Sequence, residues 1–161
     1  MITQAFRGAR RKWSVMAELK VTVEREFDDE VSRIRELLAD YRETRPAVLP
    51  PPFSEYEVLA GGTGAGTRVR WKLQATKRRI RDCVLDVDQS AEGDLIERDA
   101  NSSMVTTWTV RPGAAGRSRV VVTNTWQGAT GIGGFFERTF APMGLRRIYG
   151  ELLDNLARRA V

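Results

Sequence analysis

The chain of 161 residues contains no histidine and one cysteine, Cys83. Without histidine there is no Ser-His-Asp or Cys-His triad, no imidazole metal ligand, and no side chain that ordinarily titrates near neutrality. A lone cysteine excludes an internal disulfide and any Cys-x-x-Cys redox or zinc motif, which fits a reducing, cytoplasmic setting. No cofactor and no metal are expected. No apolar run approaches the 18 residues of a membrane-spanning helix. Internal repeats are absent, and low complexity is confined to three consecutive prolines, Pro50–Pro52.

Acidic residues are missing from the first fifteen positions, MITQAFRGARRKWSV, which hold Arg7, Arg10, Arg11 and Lys12. Those four cations account for most of the net charge of +5, so the rest of the chain is close to neutral. That balance argues against a nucleic-acid partner for the folded part. The stretch lacks the apolar core of a signal peptide, which argues against export. Three readings of it stand: an extension ahead of a true start at Met16, a basic arm for acidic lipid or nucleic acid, and a tail packed through Phe6 and Trp13. The expected organisation is a disordered basic tail over 1–15 and one domain over 16–161. A composition of 42% hydrophobic and 29% charged residues suits a folded chain with one core.

Alternation dominates the chain beyond Met16. ELKVTVERE (18–26) places Leu19, Val21 and Val23 on one face and reads as a strand. DDEVSRIRELLADYR then sets Val31, Ile34, Leu37, Leu38 and Tyr41 at helical spacing, with Asp28 as the expected N-cap. RPAVLPPP (45–52) is expected to be irregular, because proline removes donors and fixes φ. Six strands come next, over about 53–60, 67–76, 80–88, 94–100, 103–111 and 118–127, joined by short turns that suit an antiparallel meander. Arg68, Arg70 and Lys72 on one strand match Asp82, Asp86 and Asp88 on the next, which predicts a cross-strand charge ladder facing solvent. A helical pattern from about Gly134 repeats Ala141, Leu145, Ile148, Leu152 and Leu156, with Pro142 expected to kink or split it. The predicted object is α+β: a curved antiparallel sheet of about seven strands around a long C-terminal helix, with a short helix after the first strand.

GGTGAGTRVRW (61–71) resembles a phosphate loop at first sight. The lysine of a Walker A loop is absent, and a strand stands where a dinucleotide loop needs a helix. A hairpin loop is the better reading, with glycines taking positive φ.

The inner sheet face carries large aromatics. Trp71 and Trp108 share it with Leu73, Cys83, Leu85 and Val110, while Trp126, Phe135, Phe136, Phe140 and Met143 come from the last strand and the helix entry. Core packing accounts for most of such a set. The functional reading is an apolar cavity with a few placed polar groups, for which Arg81, Glu97, Thr106, Thr123 and Asn124 are candidates. GIGGFFERTFAPMG (131–144) reads either as a gate over such a cavity or as a tight entry to the helix.

EREFDDEVSRIRELLADYR, the GGTGAGTRVRW turn, ERDANSSMVTTWTV and GFFERTFAPMGLRRIYGELLDNLARR occur in the order of one known pattern. Over roughly 16–161 the chain resembles the START-like helix-grip (SRPBCC) superfamily, in its polyketide cyclase/dehydrase and lipid-transport branch. The resemblance implies a hydrophobic cavity for a lipid, polyketide or isoprenoid-like ligand, and it carries no universal catalytic motif. The expected function is therefore binding or transport of an apolar small molecule. The candidate ligand-binding residues are Trp71, Leu73, Cys83, Leu85, Thr106, Trp108, Val110, Asn124, Phe136, Phe140 and Met143. The alternative is a polyketide cyclase or dehydratase, which without histidine would use Glu97 with Tyr56 or Tyr149. A third reading is an interaction protein using the tail and the Lys77–Arg79 turn. The expected partner is a small hydrophobic ligand, with no nucleic acid, transient membrane contact at most, and a monomer or homodimer.

Overall fold

The computed structural model describes residues 16–129 and 142–161. Within them lie β1 (Met16–Phe27), α1 (Val31–Ala39), α2 (Thr44–Val48), β2 (Phe53–Ala60), β3 (Arg68–Thr76), β4 (Arg79–Gln89), β5 (Leu95–Asp99), β6 (Val105–Pro112), β7 (Ser118–Ala129) and α3 (Pro142–Ala160). All seven strands form one antiparallel sheet in the order β1-β7-β6-β5-β4-β3-β2. The expected helix-grip arrangement is present: a curved sheet, a short helix after the first strand, and a C-terminal helix against the inner face.

The order has a consequence for the site. β1 and β2 are consecutive strands in the chain but occupy opposite edges of the sheet. The segment between them, α1 and α2, must therefore cross the whole sheet. Strand alternation sets what it meets there. Val69, Trp71 and Leu73 of β3, Cys83, Leu85 and Val87 of β4, and Trp108 and Val110 of β6 are all buried. Leu145, Leu152, Leu153 and Leu156 of α3 close over this face and are buried in turn, because a one-sided apolar sheet needs a cover.

The outer face is charged. Arg68 stands opposite Asp86 at 3.6 Å, and Lys72 opposite Asp82. The ladder runs to both neighbours of β3: Arg70 pairs with Glu57 of β2, and Lys72 with Glu55 at 3.0 Å. Asp88 instead meets Arg98 of β5. Exposed pairs of this kind contribute at most about 1 kcal/mol each.

Two local expectations are corrected. The stretch expected to be irregular contains α2, because Pro46 falls in its first turn, where a missing N–H breaks no helical bond. Asp28 does not cap α1; Glu30 holds that position, and Asp28 pairs with Arg117 at 3.0 Å. The helical pattern expected from Gly134 lies outside the described residues as far as Ala141, and α3 runs unbroken from Pro142.

The glycine loop joins β2 to β3 as a hairpin connection. Its amides are engaged internally: Gly62 N–H donates to Thr67 Oγ1, Gly64 N–H to the Ala39 carbonyl, and Gly66 N–H to the Val87 carbonyl. No row of amides is left for an anion. The loop instead clamps the end of α1, since Tyr41 N–H donates to the Gly62 carbonyl at 3.0 Å. Gly61 takes φ +66°, and a Cβ there would lie 2.8 Å from the Gly66 carbonyl oxygen; Gly66 takes φ +84° with open space around it. Gly66→Ala should therefore cost about 1 kcal/mol and Gly61→Ala on the order of 3 kcal/mol. Urea denaturation of the two variants checks this, and equal losses would contradict the close approach at Gly61.

Candidate functional site

Where α3 meets β3–β6, the interior leaves a pocket walled by Trp71, Leu73, Cys83, Leu85, Met104, Thr106, Leu145 and Tyr149, with Asp99 at its margin. Its free volume is about 20 Å³, room for one water. A smaller space of about 10 Å³ lies among Arg35, Leu38, Leu95, Trp108 and Val110. Both have the mainly apolar lining, with few polar groups, that suits a small-molecule site.

The polar groups form a cross-strand row. Glu97 of β5 pairs in register with Thr106 of β6, and Thr106 with Asn124 of β7. Thr106 Oγ1 donates to Asn124 Oδ1 at 2.8 Å, and Tyr149 of α3 shares a hydrogen bond with Thr106. Glu97 and Asn124 are fully buried. Among the described residues, Glu97 Oε2, Asn124 Nδ2 and Trp108 Nε1 have no hydrogen-bond partner. Buried polar atoms are nearly always paired, so these three are among the interior positions a polar ligand group or a water would satisfy.

Glu97 is held by the chain that crosses the sheet. Arg45 of α2 reaches Glu97 Oε1 with Nη2 at 2.7 Å, and Tyr41 donates its hydroxyl to the same oxygen at 2.6 Å. Arg45 Nε donates to the Leu38 carbonyl at 3.0 Å. The guanidinium lies over the Tyr41 and Trp108 rings, 4.7 and 4.3 Å from their centroids. Burial works against the charge of Arg45, but Glu97 beside it more than compensates and keeps it protonated. Burial likewise pushes the Tyr41 hydroxyl well above its ordinary value, partly opposed by Arg45. Burial raises the Tyr149 hydroxyl too, so both tyrosines are neutral, and Tyr41 is a donor.

Asp40 fixes this arrangement from outside. Its carboxylate accepts the amides of Arg42, Glu43 and Thr44 and the Thr44 hydroxyl, at 2.8–3.1 Å. Those are the amides a helix start leaves without partners. Burial raises the Asp40 pKa, but the four hydrogen bonds outweigh it and hold the group below its ordinary 3.8.

The structure divides the candidates read from the sequence. Trp71, Leu73, Cys83, Leu85, Thr106 and Tyr149 wall the larger pocket, and Trp108 and Val110 the smaller one. Glu97 and Asn124 are buried beside Thr106. Tyr56 sits elsewhere: its ring stacks on Trp71 and its hydroxyl donates to the Tyr41 carbonyl at 2.6 Å, bracing the crossing segment. Met143 is 84% exposed and does not reach the pocket. Phe136 and Phe140 lie outside the described residues. Burial pushes the Cys83 thiol up to about 12, with Asp99 adding to it, so it is a wall and not a nucleophile. Arg45 and Tyr41 were missed as site residues. The signal was parity: Glu97 shares the inward face of β5 with Leu95, and a buried carboxylate demands a cation.

Comparison with known proteins places this geometry. The family model described as "Polyketide cyclase / dehydrase and lipid transport" matches residues 18–161. A search of curated proteins finds no match. Among solved structures, KanY protein is 46% identical over 90% of this chain and 99% of its own, with a TM-score of 0.81. A protein of Thermus thermophilus is 22% identical over 88% of this chain and 97% of its own, with a TM-score of 0.69. The Zhui aromatase/cyclase from Streptomyces is 18% identical over 89% of this chain and 94% of its own, with a TM-score of 0.68. The last two are alike in fold.

Two measurements test the buried network. Arg45→Met strands Glu97 as an unpaired buried charge and should cost about 3–5 kcal/mol, whereas Arg45→Met with Glu97→Met should recover most of that. A double variant no better than the single one would contradict a pair held by mutual compensation. Asp40→Asn should lose about 1 kcal/mol at neutral pH. Because the folded pKa of Asp40 is lowered, its contribution is present above the ordinary value and vanishes as pH falls through the folded one. The gap between the two proteins should thus close in acid, measured by urea unfolding across pH.

Proposed function

The chain belongs to the polyketide cyclase/dehydrase and lipid transport family, and from that premise we propose that it binds or carries an apolar small molecule, a lipid, polyketide or isoprenoid-like compound, between the sheet and α3. The observation that carries this reading is the pocket itself, whose walls are mainly apolar, with Thr106 and Tyr149 among them. At about 20 Å³ the pocket is closed to a ring system. A ligand enters as α3 and the sheet separate at Leu145 and Leu73, exchanging packing against α3 for packing against the ligand. The polar row then recognises the ligand's oxygen atoms, with Asn124 Nδ2 as donor and Glu97 Oε2 as acceptor.

A second reading, a cyclase or dehydratase, rests on Glu97. Glu97 is the buried carboxylate of the polar row, held by Arg45, and Tyr149 would stand beside it as the second polar group. On this reading the folded protein turns over a polyketide substrate, and Glu97→Gln abolishes that turnover.

The binding reading predicts that native extraction and mass spectrometry recover an apolar compound. It also predicts that an apolar dye binds the emptied protein. Leu145→Trp fills the pocket and should weaken dye binding about tenfold, or 1.4 kcal/mol, with circular dichroism unchanged. A folded Leu145→Trp that binds dye as before overturns the assignment of this pocket.

A further inference from the structure

One end of the sheet gathers exposed cations. At one end lie the β3–β4 tip, the β5–β6 turn, the last β1–β7 rung (Met16 opposite Ala129) and the start of α3. They are joined there: Asn101 Nδ2 donates to the Asp82 carbonyl at 2.9 Å, and Gln127 N–H to Ser103 Oγ at 2.9 Å. Leu73 of β3 and Leu145 of α3 wall one pocket, which brings the start of α3 to the same end. Lys77, Arg78 and Arg79 of the tip and Arg146 and Arg147 of α3 are all exposed. Beside them two large apolar side chains face solvent, Ile80 at 64% and Met143 at 84%. In the sequence, the four cations of residues 1–15 precede Met16, the residue at which β1 begins. The opposite end carries acids matched by arginines: Asp28 pairs with Arg117 and Asp94 with Arg111.

We propose that the basic end docks on an anionic phospholipid bilayer, with the five described cations at the headgroups and Ile80 and Met143 in the interface. Exposed apolar side chains ringed by cations match such a surface, which rewards shallow burial of apolar groups and contact between basic side chains and anionic headgroups. A nucleic acid would use the cations but would leave Ile80 and Met143 without a role. Docked in this way, the end of the Leu73–Leu145 pocket faces the bilayer. The docking does not depend on any ligand being bound.

The test is co-sedimentation of the full chain with phosphatidylcholine vesicles, with and without phosphatidylserine, across salt concentrations. Binding is expected only with phosphatidylserine and should fall as salt rises. Each cation near the surface is worth about 1 kcal/mol, roughly a fivefold change in partitioning. Lys77→Glu with Arg146→Glu should therefore weaken binding by more than twentyfold. Ile80→Ser with Met143→Ser should weaken it at fixed charge, a change electrostatics alone does not produce. Equal binding to both vesicle types, no binding to either, indifference to Ile80 and Met143, or tighter binding to a DNA duplex than to the anionic vesicles would each overturn the proposal.

Discussion

The ion pair between Arg45 and Glu97 is the constraint on which the arrangement of the interior depends. β1 and β2 are sequential but lie at the two edges, so the connection between them must span the sheet. Glu97 stands on β5, the central strand of the seven. One contact at 2.7 Å thus fastens the middle of a long crossing to the middle of the sheet. The pair is costly to desolvate, and its charge is compensated by several groups: Tyr41 donates to Glu97, the Leu38 carbonyl accepts from Arg45, and the guanidinium lies over two aromatic rings. A geometry with so many partners tolerates little displacement. It therefore fixes where α2 sits and, through Asn155 donating to the Val48 carbonyl, where the C-terminal half of α3 rests.

That division leaves the two ends of α3 with different roles. Its C-terminal half is bound to α2 and to β1, where Arg25 pairs with Asp154 at 2.8 Å. Its N-terminal half, at Leu145 and Tyr149, covers the apolar pocket and the Thr106–Asn124 pair. The helix is thus anchored away from the pocket, which suits an interior that must open to be filled. The glycine loop belongs to the anchoring side. The Gly64 amide holds Ala39 and the Gly62 carbonyl holds Tyr41, so its glycines serve the position of Tyr41 and not the binding of an anion.

Much of the fold was legible in the residue pattern. Period-two alternation in β3, β4 and β6 identified which side chains face inward, and Trp71, Leu73, Cys83, Leu85, Trp108 and Val110 are there. Short turns announced the antiparallel order, and the missing lysine and missing helix removed the phosphate reading of the glycines. The failures lie where one position depends on a remote partner. Pro46 suggested irregular backbone, yet within a first turn it breaks nothing. Met143 carries an apolar side chain at a plausible spacing but faces solvent, because Leu145 and Tyr149 set which side of α3 meets the sheet.

The sequence by itself determined the class of the fold, the inward face of each strand and the exclusion of histidine, zinc and disulfide chemistry, since each comes from local periodicity or from composition. Only the tertiary structure decided that Arg45 meets Glu97, that Tyr56 braces a helix connection, and that cations distant along the chain gather at one end. Those facts join residues tens of positions apart. Separation along the chain carries no information about such meetings until strand order and register bring them into one place.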